Sequence, residues 1–439
     1  MNLYAELEWR GMVYDATDGA RDALAAGKVT AYIGFDPTAA SLHVGSLLPI
    51  LTLARLRAFG HCAIALVGGG TGLIGDPSGK AGERQLLGEQ QVRANVAAVK
   101  KQLIRILRSA RHEARDSSRG PKGRLLRVDN ARWLKRLTAI SFMRDVGKHF
   151  TVNWMQSKES VKRRLESQEG ISYTEFSYLL LQAFDYLQLF DRYRCTVQMG
   201  GSDQWGNIMA GIELIRRVRS SKAHGIVLPL VTTASGAKFG KTEAGTVWLD
   251  ASLTGSDDFY QFWLNIDDRD AVKYLKLFTF LSKERIGKIE AASSLEPEKR
   301  IAQRELARQV TRLVHGDEAL RTAEANASIM FARFVGPKQL WAVPAQDRVR
   351  LPRAWFEKGG LPVLKVLMLA KLTSSSGEGA RLIKQGGIKL NDEKITDARF
   401  VFTAYIPAVA DGIFKISKGK TRPVVVELTD DPSPSLDKA

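Results

Sequence analysis

The sequence is poor in cysteine and has no long apolar run. Its 439 residues include two cysteines, Cys62 and Cys195. They are far apart and belong to no CxxC pair or cysteine–histidine cluster, so a disulfide framework and a cysteine-ligated zinc site are excluded. No apolar stretch is long enough to cross a bilayer, and the N-terminal residues carry acids without an apolar core. We therefore expect a cytoplasmic protein with no membrane partner and no targeting peptide.

Acidic residues are also in deficit. There are 47 Asp and Glu against 65 Lys and Arg, which gives a formal net charge of +18 at pH 7. A polyanionic partner would explain this excess, and charge spread over the surface would explain part of it. A chain of this length is expected to form two or three domains with a substantial core.

Residues 31–50 combine a strand, a turn and the start of a helix. Residues 31–35 alternate and are rich in β-formers, residues 36–38 form a turn, and Ser41 is expected to cap the following helix, which Pro49 should kink. Backbone N–H groups and the positive end of the helix dipole would then face an anion. This stretch alone also allows a capped helix with an unrelated surface histidine. The polar or small residues at this point are Thr38, His43, Gly45 and Ser46.

A second stretch, Lys238-Phe239-Gly240-Lys241-Thr242, places two lysines in a glycine-containing loop. It resembles the KMSKS signature of class I aminoacyl-tRNA synthetases, and His43-Val44-Gly45-Ser46 resembles their HIGH signature. Residues 200–207, GGSDQWGN, resemble the tyrosyl enzymes of the bacterial type. The three motifs occur in the family's order, and the resemblance covers nearly the whole chain. Ser46 departs from the signature, because the last position of HIGH is a histidine.

The resemblance implies an α/β fold with a Rossmann-like parallel-sheet catalytic domain at residues 1–250. This domain would include an insertion, near residues 140–165, that forms a homodimer interface. An α-helical domain that binds the tRNA anticodon would follow at 251–335, then a linker at 336–360. Residues 361–439 resemble an S-four-type RNA-binding domain of α+β structure. The basic residues assigned to RNA there are Arg381, Lys384, Lys389, Lys415 and Lys418.

A polar stripe on one predicted helix suggests the amino-acid pocket. Tyr178, Gln182 and Asp185 fall at i, i+4 and i+7 on a face that is otherwise apolar. Such a stripe is costly if it is buried without partners, so it marks either a solvent edge or a ligand pocket. The resemblance favours a pocket for L-tyrosine, in which Tyr32 and Asp185 would bind the phenol hydroxyl. The ammonium end would be held by Asp76, Tyr178, Gln182 and Gln204.

The resemblance also implies that ATP, with Mg²⁺, activates the amino acid, which is then transferred to tRNA(Tyr). Charge builds on the departing pyrophosphate, so positioning and charge stabilisation are the main requirements of the protein. Mg²⁺ would arrive with ATP, and we predict no protein-bound metal. The residues assigned to catalysis are Thr38, His43, Ser46, Lys238, Lys241 and Thr242. The residues assigned to ATP are Asp36, Gly45, Gly201, Asp203, Lys80, Arg84 and Lys241.

Several alternatives remain open at this point. Residues 70–75 match GxGxxG, the dinucleotide-binding pattern, although residues 76–79 form a turn where the phosphate-binding helix should already be running.

A tryptophanyl-like enzyme is the nearest competitor, and the pairing of Tyr32 with Asp185 favours a phenol over an indole. A non-enzymatic RNA-binding protein would not need His43, Lys238 and Lys241. Residues 105–136 hold eleven basic residues against three acids, which form either an RNA-facing loop or a solvated surface.

Overall fold

The structure is a computed structural model whose chain divides into two compact units, Met1–Arg321 and Thr322–Ala439. Predictions for Lys80, Arg84 and Lys238 lie outside the described residues, as do the side chains of Lys241 and Thr242. The structure describes residues 2–78, 86–116, 123–166, 170–237, 239–242, 245–332, 348–357, 360–391, 393–403, 412–419 and 423–430.

A six-stranded sheet forms the centre of the first unit. Its strands are β1 (Asp15–Ala16), β2 (Thr30–Phe35), β3 (Cys62–Val67), β4 (Leu125–Asp129), β5 (Cys195–Gly201) and β6 (His224–Leu228). Their order is β1-β6-β5-β2-β3-β4, and every neighbouring pair is parallel except β1 with β6. The predicted α/β class with a parallel sheet is confirmed. The carboxyl ends of β2, β3 and β5 meet at one edge, where open α/β sheets bind ligands.

Ten helices of the described residues belong to this part of the chain. They are α1 (Leu3–Trp9), α2 (Ala20–Ala26), α3 (Leu47–Ala58), α4 (Glu89–Asp116), α5 (Ala131–Leu134), α6 (Ala139–Asp145), α7 (Val152–Gln156), α8 (Glu159–Leu165), α9 (Tyr173–Tyr193) and α10 (Trp205–Arg219). Helices α9 and α10 contribute to the main core, where Leu180, Tyr186 and Leu214 pack with Tyr32 and Ile64 of the sheet.

The start of α3 corrects two predictions. Ser41 does not cap it: its hydroxyl donates to the Leu42 carbonyl and accepts from Gln102, and the helix begins only at Leu47. Pro49 therefore lies in the first turn, where a backbone N–H has no intrahelical acceptor and its absence costs no hydrogen bond. The kink was predicted because a proline inside a helix removes a hydrogen bond, and at Pro49 no hydrogen bond is lost.

Five further helices follow the sheet, within residues 251–335, for which an α-helical domain is predicted. They are α11 (Ser256–Leu264), α12 (Asp268–Phe278), α13 (Lys283–Leu295), α14 (Ile301–His315) and α15 (Asp317–Ala332). Arg55 of α3, fully buried, donates to the carbonyls of Leu277 and Thr279 at 3.3 and 2.6 Å. Arg10 donates to the Thr279 carbonyl at 3.1 Å. These two buried guanidinium groups connect the end of α12 to the part of the chain that forms the six-stranded sheet. The first unit continues to Arg321.

The second unit contains a five-stranded sheet that includes part of the predicted linker. β9 (Arg348–Pro352) pairs in parallel with the last described strand, β15 (Val424–Thr429). Leu351 of β9 is buried in the core of this unit together with Phe356. Residues 348–352 therefore belong to the C-terminal fold, while residues 333–347 lie outside the described part of the chain.

The remaining elements of the second unit follow in chain order. They are α16 (Ala354–Glu357), β10 (Leu361–Pro362), α17 (Val363–Leu369), α18 (Ser376–Lys384), β11 (Ile388–Leu390), β12 (Glu393–Lys394), β13 (Val401–Phe402) and β14 (Ile413–Lys418). The sheet order is β12-β11-β14-β15-β9, and β10 pairs separately with β13. Gly386, with φ of +67°, follows α18 in the left-handed conformation that ends many helices.

The predicted RNA-binding residues of this unit fall into two groups. Arg381 and Lys384 are exposed on α18, and Lys389 is half-buried on β11. Lys415, in contrast, is only 4% exposed, and Lys418 forms an ion pair with Glu378 at 2.7 Å. The prediction that both lysines are exposed phosphate contacts is wrong for Lys415, because β14 is covered at that position.

Candidate active site

A cavity of about 230 Å³ opens where β2, β3 and β5 end. Its size suits an amino acid better than a drug-sized ligand, for which cavities above about 300 Å³ are usual. The glycine-rich turn after β3 contributes Gly68 and Thr71 to its wall. All six residues predicted to bind the amino acid line this cavity: Tyr32, Asp76, Tyr178, Gln182, Asp185 and Gln204.

Asp185 is held at one end of the cavity by two donors that the sequence did not reveal. Its Oδ1 accepts from Trp133 Nε1 at 2.6 Å, and its Oδ2 accepts from Asn130 Nδ2 at 2.8 Å. Burial raises the pKa of Asp185 to about 7, although these two hydrogen bonds oppose the rise. The carboxylate is therefore fixed in orientation and titrates near neutral pH.

Asn130 also connects Asp185 to the glycine-rich turn. Its Nδ2 donates to Thr71 Oγ1 at 2.9 Å, and its Oδ1 accepts from the Gly70 N–H at 2.7 Å. The turn and the carboxylate are thus fixed by one side chain. The turn continues through Asp76, whose Oδ1 accepts from the Ser78 N–H, and residues 76–78 are not helical. A dinucleotide-binding fingerprint requires a helix there, so that alternative fails.

Tyr32 presents a buried hydroxyl to the same end of the cavity. The residue is 1% exposed, and its Oη has no hydrogen-bond partner among the described residues. Burial and the charge of Asp185 raise the pKa of Tyr32 well above its usual value. An unpaired buried hydroxyl costs about 1–3 kcal/mol, which a bound polar group would recover.

Two further carboxylates, Asp36 and Asp76, line the cavity. Tyr178 Oη donates to Asp36 Oδ2 at 3.1 Å, and Gln204 Nε2 donates to Asp76 Oδ2 at 2.8 Å. Gln182 Nε2 donates to Gln204 Oε1 at 3.2 Å. Asp36 is predicted to bind ATP, and it lines the same cavity as Tyr178. The two carboxylates favour a cationic group of the ligand.

Asn207 is a further member of this network. Its Nδ2 lies 3.1 Å from Gln182 Oε1, 3.2 Å from Gln204 Oε1 and 3.3 Å from Ser78 Oγ. The residue lies one helical turn after Gln204, and this spacing within GGSDQWGN is the signal that could have identified it. Asn207 thus orients both glutamine amides.

His43 replaces Ser41 as the cap of the turn before α3. Its Nδ1 accepts from the Gly45 N–H at 3.0 Å, so Nε2 carries the proton in the neutral imidazole. A Cβ on residue 45 would lie 2.7 Å from His43 Cε1. Glycine is therefore required for the imidazole to adopt this position, which leaves a donor suited to a phosphate oxygen.

The two signature stretches lie against each other. Gly240 has φ of +81°, and a Cβ there would lie 2.4 Å from Val44 Cγ2. Lys241–Thr242 and Gly245–Thr246 form the short antiparallel strands β7 and β8. The Val247 N–H donates to the Gly240 carbonyl, and the Val44 N–H donates to the Val247 carbonyl, both at 3.0 Å. The loop that carries the lysines is thus connected by backbone hydrogen bonds to the stretch that carries His43.

Other residues predicted for catalysis or ATP binding follow β2 and β5 or precede α3. Thr38 is exposed in the turn after β2, and its N–H donates to the Asp36 carbonyl. Ser46 precedes α3 without a side-chain capping bond. Gly201 ends β5, and a Cβ there would lie 2.5 Å from Asp203 Oδ1, which leaves room for this carboxylate.

Within the ranges given above, no group of three or more His, Cys, Asp or Glu side chains is arranged to hold a metal ion. Among the helices described, none is both long and apolar enough to span a bilayer.

Comparison with known proteins identifies the family. The profile of tRNA synthetases class I (W and Y) matches residues 24–332. Tyrosine--tRNA ligase of Roseiflexus castenholzii is 50% identical over 401 residues, covering 89% of this chain and 91% of the relative. Tyrosine--tRNA ligase of Bacillus caldotenax is 48% identical over 408 residues, covering 92% and 94%. A C-terminally truncated mitochondrial tyrosyl-tRNA synthetase of Aspergillus nidulans superposes with a TM-score of 0.69 at 30% identity, covering 75% of this chain and 94% of that one. The family predicted from the signature stretches is confirmed, and the chain belongs to the class I tRNA synthetases of the tryptophan and tyrosine group.

Proposed function

We propose that this protein is a tyrosine–tRNA ligase. It activates L-tyrosine with ATP to give tyrosyl-adenylate and pyrophosphate, and it then transfers tyrosine to the 3′ end of tRNA(Tyr). The observation that carries this proposal is the unpaired Tyr32 hydroxyl in the same cavity end as the Asp185 carboxylate. A phenol hydroxyl donates to Asp185 and accepts from Tyr32, so both buried groups gain a partner. Phenylalanine would leave the Tyr32 hydroxyl unpaired and would leave Asp185 with only its donors Trp133 and Asn130.

The opposite end of the cavity orients the amino acid for reaction. Asp76 accepts from the ammonium group, and Tyr178 and Gln182 complete its hydrogen bonds. The tyrosine carboxylate is then left to face the edge of the sheet where ATP binds. One carboxylate oxygen attacks the α-phosphorus, the bond from that phosphorus to the β-phosphate bridging oxygen breaks, and pyrophosphate leaves. No proton transfer is needed in this step, so positioning and electrostatics dominate.

The nucleotide side of the site is assigned by the signature stretches. His43 Nε2 donates to a phosphate oxygen together with Thr38, and Gly45 and Ser46 lie beside the base and ribose. Ser46 is shorter than histidine, so its contact is made through water. Asp203 and Gly201 lie near the ATP ribose. The cations assigned to the phosphate oxygens of the departing pyrophosphate are Lys80, Arg84, Lys238 and Lys241, with Thr242 as a hydroxyl donor. Mg²⁺ arrives with ATP.

Exposed apolar side chains support the proposed homodimer. Ile140 and Met143 of α6 are 73% and 56% exposed, and Val152 of α7 is 57% exposed. Large apolar side chains clustered on a surface mark interaction sites. A second copy of the chain would cover them, within the range 140–165 predicted for the interface. We place this dimer in the cytoplasm, where its substrates occur.

The direct test is amino-acid-dependent exchange of pyrophosphate into ATP. Tyrosine should support exchange, whereas phenylalanine and tryptophan should be nearly inert. Equal exchange with tyrosine and phenylalanine would refute the assignment, and exchange with tryptophan alone would identify the competing activity of the family. RNA binding without any exchange would indicate a protein that no longer activates amino acids.

Tyrosine binding is expected to weaken as the pH falls below about 7. Burial raises the pKa of Asp185 to about 7, and protonation removes an acceptor position from the carboxyl group. The KM for tyrosine in the exchange reaction should rise as the pH falls through this pKa, while the KM for ATP changes little. A tyrosine KM that stays constant between about pH 6 and pH 8 would contradict this role of Asp185.

Removal of the C-terminal unit is expected to separate the two half-reactions. A chain ending at Ala332 keeps every described residue of the cavity and the whole of α15, whereas a cut inside β9 would leave the apolar Leu351 without its sheet. Exchange should stay within about twofold, and charging of tRNA should fall by about 100-fold, because the exposed Arg381 and Lys384 are lost. Binding of tRNA by the full chain should also decrease more steeply with salt. Unchanged charging would show that residues 1–332 hold the tRNA without this unit.

A further inference from the structure

Phe239 is an unexpected residue to find between the two signature lysines. A loop that binds phosphate is expected to be polar and exposed, yet Phe239 is only 3% exposed. Its neighbours Lys238 and Lys241 are assigned to pyrophosphate, and the reaction gives the phenyl ring itself no role. Phe239 is not among the described residues that line the cavity at the ends of β2, β3 and β5.

Four aromatic side chains of the helical part enclose this ring. The Phe239 ring stacks on Phe278 at 5.4 Å with an interplanar angle of 20°, and it meets Tyr274 edge-on at 4.9 Å. Trp263 and Phe262 lie at 5.5 and 5.4 Å. We call these four residues of α11 and α12 the aromatic socket. These distances and tilts are those that aromatic pairs prefer, so the ring has a defined position.

Helix α12 also holds the chain that leads into the loop. Tyr274 Oη donates to the Thr232 carbonyl at 3.0 Å. Asp270, which is buried, accepts from the Ala234 N–H at 2.6 Å. The strand side of the loop is therefore fixed to the same helix that supplies two members of the socket. Together with the Phe239 ring, these contacts make three attachments to α12 within residues 232–239.

The other side of the loop is fixed to the His43 stretch. Gly240, which directly follows Phe239, packs against Val44 so closely that a Cβ would lie 2.4 Å from Val44 Cγ2. Phe239 and Gly240 thus form a bridge of two residues between α12 and the first signature stretch. In the sequence, Lys238 directly precedes this bridge and Lys241 directly follows it.

We propose that Phe239 is a positioning residue for adenylate formation, held by the aromatic socket so that Lys238 and Lys241 meet the charge that develops on pyrophosphate. This inference rests on the proposed function. Charge stabilisation depends on donors that are in place before the charge forms, and a displacement of about 1 Å lowers the rate strongly. The effect belongs to the transition state, since the socket shares no residue with the tyrosine cavity. Loss of the Phe239 ring should therefore lower kcat without weakening tyrosine binding.

The test compares two leucine substitutions of buried phenylalanines. Phe239→Leu should lower the single-turnover rate of adenylate formation by about 30-fold or more, with the tyrosine Kd unchanged within about twofold. The rate of the reverse reaction, adenylate with pyrophosphate, should fall by the same factor, because both directions share one transition state. Phe259→Leu is the matched control: Phe259 is fully buried in α11 but packs on Trp263 and His315. It should lose similar stability in urea unfolding and keep its rate within about threefold.

Phe239→Tyr completes the test, since it keeps the aromatic ring that packs in the socket and should restore most of the rate. It also carries the comparison if Phe239→Leu fails to fold. Equal rate losses in the Phe239 and Phe259 variants would overturn the inference, and so would a loss of tyrosine affinity that accounts for the slower rate. Failure of the unmodified protein to exchange pyrophosphate in the presence of tyrosine would instead refute the proposed function.

Discussion

Asp185→Ala is expected to reduce kcat/KM for tyrosine by several hundredfold while the protein stays folded. The variant loses the charged acceptor for the phenol and leaves the Tyr32 hydroxyl with a weaker partner. A hydrogen bond to a charged group contributes about 1.5–3 kcal/mol, and an unpaired buried donor costs about 1–3 kcal/mol, so a combined loss of about 3–4 kcal/mol is expected. Pyrophosphate exchange at varied tyrosine concentration measures it.

Asp191→Ala is the matched control for this substitution. Asp191 lies on the same helix, α9, where it forms a surface ion pair with Arg219 at 2.8 Å. Such pairs contribute about 0–1 kcal/mol, so its kcat/KM should stay within about twofold. Circular dichroism should show equal helix content in both variants. If Asp185→Ala kept most of its preference for tyrosine over phenylalanine, the phenol would have to bind elsewhere in the cavity.

Lys238→Ala and Lys241→Ala are each expected to slow adenylate formation by about 100-fold or more, with little change in tyrosine affinity. Both lysines belong to the loop that packs against the His43 stretch, and negative charge grows there only as pyrophosphate departs. An interaction made mainly in the transition state lowers kcat and leaves ground-state binding unchanged. Single-turnover kinetics at saturating ATP measure the rate, and equilibrium binding measures the tyrosine Kd.

Lys273→Ala supplies the comparison for the lysine variants. Lys273 is an exposed residue of α12, the helix that supports the loop, so its loss alters the local charge without touching the loop itself. Its rate should stay within about twofold of the unmodified protein. Should either loop variant mainly weaken tyrosine binding at an unchanged rate, the loop would have to lie against the amino acid instead of the pyrophosphate.

The parts of the site that follow from local patterns could be predicted from the sequence. The alternation of residues 31–35 predicted strand β2, whose carboxyl end lies beside the cavity. The spacing of Tyr178, Gln182 and Asp185 predicted that they share one face of a helix, at either a solvent edge or a pocket, and all three line the cavity. In each case the spacing along the chain decides the spacing in the fold.

Features that depend on tertiary contacts could not be predicted in this way. Asn130 and Trp133 reach Asp185 only because β4 lies at the edge of the sheet next to β3, and nothing in their own neighbourhood marks them as partners. Lys415 resembles any other surface lysine until β14 is found to be covered there. Ser41 is a good cap by residue type, but Gln102, from a distant helix, occupies its hydroxyl.

The parallel pairing of β9 with β15 fixes when the second unit can fold during synthesis. β9 is the first strand of that sheet to leave the ribosome and β15 is the last. Until residue 429 has emerged, one edge of β9 has no strand to pair with, and such an edge invites pairing with other chains. Contacts between strands so far apart in sequence also form slowly. The first unit can therefore complete its fold before β15 is made, whereas the sheet of the second unit cannot close until then, which exposes the nascent C-terminal unit to pairing with other chains.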